Sequence, residues 1–312
     1  MLVTCPKSSH PLADAVWIDL LNPTDEERAQ VEEATQLRMP TRAALEEIES
    51  SSRAFVEGSA LYLSTPVLAG LDCRSGDIST VGLLLTKKRL VTLRFGDIAA
   101  FTDVTRAAGV ERLAANEIFL KLLEAMVDRT ADALERTSLD LEGISSAAFH
   151  ADQQPRKMSR NSAALNNLLR RLGRMGDQAS RARDALLGVG RIAGFVLEAD
   201  KEHRLESGTQ RLQAIRTDIT SLSDYHGHLF GKIQFLLDAT LGFINIQQND
   251  IVKALTIVSV VGVPPVLIAG IYGMNFKYMP ELGWSFGYPF ALLLILVSGL
   301  APLAWFKWRG WI

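Results

Sequence analysis

The residues of this 312-residue chain whose types and spacing could do chemistry lie on one stripe toward its C-terminal end. Asp238, Asn245 and Asn249 are offset by seven and four positions, which places them on one face of a helix. Continued toward the C-terminus, that face runs through Val252, Leu255 or Thr256, Ser259, Val263 and Val266. Gathered around an axis, it would form polar rings at one mouth and an apolar throat above them. Apolar constrictions can gate by dewetting. Two helices of one chain cannot enclose a wet path, so such a pore requires several copies.

The elements that must carry this stripe follow from the charge distribution. The chain holds 33 Lys and Arg and 35 Asp and Glu, a formal net charge of −2, yet only Lys277, Glu281, Lys307 and Arg309 lie after Lys253. Ala254 to Phe276 is uncharged over 23 residues and Leu282 to Phe306 over 25. Each is long enough to cross a hydrocarbon core of about 30 Å, and soluble core helices rarely run so far without a charge. Thr256, Ser259, Gly262, Pro264-Pro265 and Gly270 interrupt the first run, whereas Phe290 to Leu300 is almost uniformly aliphatic, as an outer helix facing lipid would be. Small residues also permit close helix packing; that reading is compatible with a pore but leaves Asp238 and Asn249 unexplained. Lys307, Trp308, Arg309 and Trp311 form a basic and aromatic boundary. Two spans put both termini on one side. The N-terminal stretch MLVTCPKSSHPLADA, which lacks the apolar core of a signal peptide, and the basic tail assign that side to the cytoplasm.

Upstream, residues 1–112 read as an α/β domain. Ala15 to Leu20, Leu61 to Leu68, Thr80 to Leu85 and Leu90 to Arg94 have strand character, the last two joined by the turn Lys87-Lys88-Arg89. Thr24 opens a helix with Glu27 placed for a capping box, and another follows Pro40 and Thr41. Residues 113–208 read as a long helical hairpin divided near Pro155, with Ser207-Gly208 as the next break. A stalk over 209–253 then continues into the first span, a helix of some 60 residues and about 90 Å. The spans are placed at 254–276 and 283–306, with 277–282 and its flanks outside and 307–312 as a cytoplasmic tail.

Several classes drop out. No dense Lys/Arg run marks a nucleic-acid partner. Cys5 and Cys73 are too few for a disulfide framework and have no metal-ligand spacing. Gly188, Gly190 and Gly194 have the wrong spacing for a dinucleotide loop and follow no strand. No nucleophile–base constellation marks an enzyme. His226 and His228 stand about 200° apart on a helix and cannot share one ion; they read as surface or interface residues.

At Tyr272-Gly273-Met274-Asn275-Phe276, followed by Met279-Pro280-Glu281-Leu282, the chain resembles the CorA family of magnesium channels. The likeness extends through Trp284 to Pro289, Gly299 to Pro302, Gly242 to Ile246 and Ala15 to Leu20, of the enterobacterial type. It implies a homopentamer with a cytoplasmic α/β/α funnel, an α+β domain overall, stalk helices continuing into the pore, and an outer ring of second spans in the lipid of an inner membrane. It also implies influx of Mg2+, with Co2+ and Ni2+ as further substrates, and no prosthetic group. Asn275 would form the outer selectivity ring with Gly273 and Met274. Asn249 would form a polar ring near the cytoplasmic end, with acidic Asp238 below it. Intracellular Mg2+ bound between cytoplasmic domains would hold the pore closed, with Asp218 and Asp224 as candidate ligands.

The chemistry agrees with that resemblance. Mg2+ gives up its waters reluctantly, and a ring of neutral amide oxygens can hydrogen-bond a hydrated ion without stripping it. A divalent ion gains about 4.6 kcal/mol per 100 mV of inside-negative potential, so inward movement needs no ATP. Lys277 stands where many relatives are acidic and lowers the cation-attracting field at the entrance. Val252, Val263 and Val266 make the throat more aliphatic than usual. The basic cluster is thin, with Lys307, Arg309 and a contribution from Lys253. Two other readings compete: a ZntB-like zinc transporter, though those typically carry Gly-Val-Asn, and a membrane-anchored regulator that senses metal without conducting it.

Overall fold

The computed structural model of the chain describes residues 2–5, 12–47, 49–70, 77–108, 113–149, 162–199, 208–275, 277 and 279–311. Cys73, Pro155, Ser207 and Phe276, each singled out above, lie outside the described residues. Two compact units are present, Met1–Gln153 with Asn167–Leu237, and Gln154–Asn166 with Asp238–Ile312.

In the first unit, six strands form one sheet: β1 (Leu2–Cys5), β2 (Trp17–Leu21), β3 (Ala54–Glu57), β4 (Ala60–Leu68), β5 (Ile78–Leu85) and β6 (Leu90–Arg94). Their order is β1-β2-β6-β5-β4-β3. β2 and β6 pair in parallel, Trp17 opposite Leu90, and the other pairs are antiparallel. Strand alternation sorts side chains between two faces. Ile18, Leu20, Tyr62, Leu84, Val91 and Leu93 meet Val31, Met39 and Leu45 on one face. These last three come from or follow helices α1 (Asp25–Thr35) and α2 (Arg42–Glu46). α1 begins with the capping box read from the sequence: Glu27 N–H donates to Thr24 Oγ1 and Thr24 N–H to Glu27 Oε2. Thr41 caps α2 by accepting from Ala44 N–H at 3.2 Å. A one-turn helix, α3 (Ser50–Arg53), leads into β3.

The opposite face is covered by α4 (Ala99–Ala108) and the long helices α5 (Ala115–Phe149) and α6 (Ser162–Glu198). The sheet thus lies between helical layers, the α/β/α arrangement expected. Gly188 shows how closely α6 approaches the sheet: a Cβ there would run into Thr65 Oγ1 and come within 2.9 Å of Pro66 Cδ. Gly190 meets Ile219 of the next helix, so these glycines serve helix packing. α7 (Thr209–Tyr272) is 64 residues long and passes through the division between the units. α8 (Gly287–Trp308) follows a 3-10 turn at Pro280–Gly283.

Several elements and boundaries differ from the sequence reading. β1 and β3 are short edge strands of four residues each, too brief to show an alternation. α7 ends at Tyr272, before the Gly-Met-Asn tripeptide. α8 begins at Gly287 instead of 283 and runs on to Trp308. Pro289, which lacks an N–H, thereby falls in its first turn, where that donor would be unused.

Candidate ion pathway

The second unit holds the apolar runs. Two helices, Thr209–Tyr272 and Gly287–Trp308, are long and apolar enough to cross a membrane. Their most apolar stretches are almost wholly unburied, so their side chains are not a soluble core.

Along α7, Asp238, Asn249, Val252, Leu255, Ser259, Val263 and Val266 are all exposed in the single chain, and Thr256 is half-buried. Val266 is 72% exposed and Leu255 66%. A second stripe, Ile257, Val261, Pro264, Pro265, Ile268 and Tyr272, is half-buried. It lies roughly 160° around the helix from the first. On this second side a Cβ added to Gly299 of α8 would sit 3.4 Å from Pro265 Cγ and 3.7 Å from the Val261 carbonyl oxygen. α8 therefore approaches the side of α7 away from the candidate pore face. Pro264 and Pro265 lie within α7 without ending it. They withhold the N–H groups that would bond the Val260 and Val261 carbonyls. Thr256 Oγ1 donates to the Val252 carbonyl at 2.8 Å, so its hydroxyl proton is engaged by its own helix.

Gly273-Met274-Asn275 follows the last turn of α7 directly. Gly273 N–H donates to the Ala269 carbonyl at 3.0 Å and Met274 N–H to the Ile271 carbonyl at 3.2 Å, tightening the turn. A Cβ at position 273 would lie 3.1 Å from Ala269 O, which is why glycine fits there. Asn275 is exposed beyond the helix end, where its amide is not drawn into helical packing, and Lys277 and Glu281 are exposed nearby in sequence.

The other expected site residues are distributed as follows. Lys253, expected in a basic ring, faces Asp250 at 3.9 Å, which offsets part of its charge. Lys307 is exposed, while the Arg309 guanidinium lies over the Trp305 indole, 5.6 Å from the ring centre. Asp218 and Asp224 are exposed on α7. Among the described residues no group of three or more His, Cys, Asp or Glu is arranged to hold a metal ion. Asp218 does have an acidic neighbour that sequence reading passed over, Asp128 of α5. Asp128 is exposed, yet partial desolvation first, then Glu124, Asp132 and Asp218, raise its carboxyl above the ordinary value, against the opposing pull of Arg129. Spacing along α5 relates Glu124, Asp128 and Asp132, but only the fold brings Asp218 to them. His228 is exposed as expected, but His226, also expected at a surface or interface, is buried within the chain; the two lie on opposite sides of α7 as their spacing requires.

A sheet domain between helical layers, a long helix and two apolar C-terminal helices define the class: a two-span membrane protein carrying a large soluble α/β unit. Residues 13–308 match the model of a family described as CorA-like Mg2+ transporter protein. The chain is 36% identical over 311 residues to the magnesium transport protein CorA of Escherichia coli (strain K12), covering 98% of this chain and 95% of that one. The complete structure of the CorA magnesium transporter from Methanocaldococcus jannaschii superposes with a TM-score of 0.73 at 17% identity, covering 95% and 91% of the two chains. The ZntB cytoplasmic domain from Vibrio parahaemolyticus gives 0.55 at 10% identity, covering 75% and 88%. At such identities the structural likenesses concern the fold alone and do not choose a cargo. The chain belongs to the CorA family.

Proposed function

We propose that the chain is a channel-type transporter that admits Mg2+ down its electrochemical gradient as a homopentamer, with Co2+ and Ni2+ as further substrates. The observation that carries this reading is the near-full-length likeness to a magnesium transport protein, joined to Gly273-Met274-Asn275 at the end of a helix whose exposed residues include a polar-to-apolar stripe. Residues 254–276 and 283–306 cross the inner membrane, residues 277–282 face outside, and both termini lie in the cytoplasm. Five Asn275 amides hold the hydrated ion at the outer mouth. Dehydrating Mg2+ is costly, so hydrogen bonds to its waters give binding that is firm enough to select and weak enough to release. The throat at Leu255, Ser259, Val263 and Val266 gates by wetting, and Asn249 and Asp238 receive the ion below.

Closure follows from Mg2+ shared between cytoplasmic domains of neighbouring copies. Asp128 and Asp218 supply carboxylates whose mutual repulsion a bound cation relieves, with Asp224 further along α7. A site completed only between copies agrees with the lack of a three-ligand cluster among the described residues of one chain.

The test is uptake into proteoliposomes. Asn275→Ala abolishes Mg2+ uptake while the oligomer elutes unchanged; normal uptake by this variant overturns the selectivity assignment. Comparing Mg2+, Co2+ and Zn2+, with and without a proton gradient, separates this reading from a zinc transporter. Metal-dependent assembly with no flux of any ion returns the regulator.

A further inference from the structure

Charged side chains also converge within the first unit, in a cleft between α5 and α6. The cavity there has a volume of about 420 Å³, within the 300–1,000 Å³ of small-ligand sites. Met175, 6% exposed, forms an apolar part of its lining, with Asp140 from α5 and Arg171, Arg174, Asp177 and Arg181 from α6. Arg171, Arg174 and Arg181 are separated by three and seven residues and so share one stripe of α6. The axial rise from Arg171 to Arg174 is about 4.5 Å, so both guanidinium groups can reach one phosphoryl group or two adjacent ones.

The lining carries both signs of charge without cancelling them. Arg181 donates to Asp77 at 3.0 Å. Arg171, Arg174, Asp140 and Asp177 form no ion pair among the described residues. A bare anion would be repelled by the two carboxylates, and a bare divalent cation by the guanidinium groups. A ligand that presents phosphate oxygens to the arginines and a metal ion to the aspartates satisfies both. Guanidinium forks match phosphate oxygens in bidentate geometry. Mg2+ is characteristically held by one or two carboxylates together with phosphates, keeping several of its waters.

We propose that the α5–α6 cleft binds a magnesium-complexed polyphosphate of nucleotide size. The arginines hold the phosphates, and Asp140 and Asp177 hold the metal through its waters. This proposal stands apart from the transport reading, because binding is measured whether or not the protein conducts.

The experiment is calorimetric titration of the full chain in detergent with ATP plus MgCl2, tripolyphosphate plus MgCl2, ATP plus EDTA, and MgCl2 alone. Saturable binding of both magnesium complexes is expected, weaker with EDTA. Replacing Arg171→Gln together with Arg174→Gln lowers the affinity by about tenfold or more, the scale of lost charge-assisted hydrogen bonds. Asp140→Asn with Asp177→Asn instead removes the advantage of the magnesium complex over free ATP, an effect that misfolding cannot mimic. Unchanged elution and circular dichroism establish that each variant is folded. The proposal is overturned by no saturable binding at millimolar concentration, by full affinity in the arginine variant, or by a response to MgCl2 alone that equals the response to its complexes.

Discussion

Asp19 is a charged residue in the middle of β2 and only 3% exposed. Arg94, one strand away on β6, donates to it from Nε at 3.0 Å and from Nη2 at 2.8 Å. Thr92 Oγ1 adds a bond at 2.7 Å and itself accepts from Trp17 Nε1 at 3.0 Å. The parallel register of β2 with β6 sets Asp19 beside Thr92 and thereby makes the network. Removing one member of a buried pair leaves the other uncompensated. Asp19→Asn therefore destabilises the soluble unit by about 3–5 kcal/mol, read as a loss of melting temperature in the full chain. Lys277 poses the opposite case, an exposed charge whose effect is long-range. Repeated around an oligomer, it opposes cation approach, so Lys277→Glu raises Mg2+ uptake at low ionic strength and the gain shrinks as salt screens it. An equal gain at high and low salt would show that the effect is not electrostatic.

α7 does different work along its length. Its first half packs on α5 and α6, where Arg211 donates to Glu124 at 2.7 and 2.5 Å. Farther along, His226 is buried and its Nε2 has no hydrogen-bond partner among the described residues. Burial first, then Arg183 of α6, pushes the imidazole below its ordinary value, while the Ala179 carbonyl and Asp184 act weakly the other way. A neutral histidine favoured in the folded state means that the unfolded chain binds the extra proton as pH falls. The contribution is thus full above the ordinary histidine value of about 6.5 and is lost as pH drops through it toward the lower folded value. Thermal unfolding of the wild type should show this acid-side loss, and His226→Gln should flatten it. A parallel pH profile in the variant would exclude His226 as its source.

For the whole molecule, the decisive quantity is copy number. The exposed stripe of α7 contains Val252, Leu255, Val263 and Val266, each at least 59% exposed in one chain. Ile251, Val258 and Leu267, off that stripe, are also at least 59% exposed, so the surface of α7 suits lipid as well as neighbouring copies, and copy number separates the two. Native mass spectrometry is expected to find five copies of the 34.3 kDa chain, about 170 kDa of protein. A monomer or dimer would leave no enclosed path and would remove the pore reading.

Local chemistry made much of this protein legible in its residue order. Charge density falls abruptly after Lys253, and uncharged runs of 23 and 25 residues follow, because lipid excludes charge regardless of the fold around it. Thr24 and Glu27 announce a helix start through bonds only three residues apart. The stripe from Asp238 to Val266 follows from helical periodicity alone, and so does the separation of His226 from His228. What the tertiary structure decided are relations between distant segments. The pairing of β1 and β3 at the sheet edges depends on partners supplied by β2 and β4. The meeting of Asp128 with Asp218, and of Asp140 with the arginines of α6, depends on how long helices align. No local preference encodes those alignments; burial of apolar faces across the chain selects them.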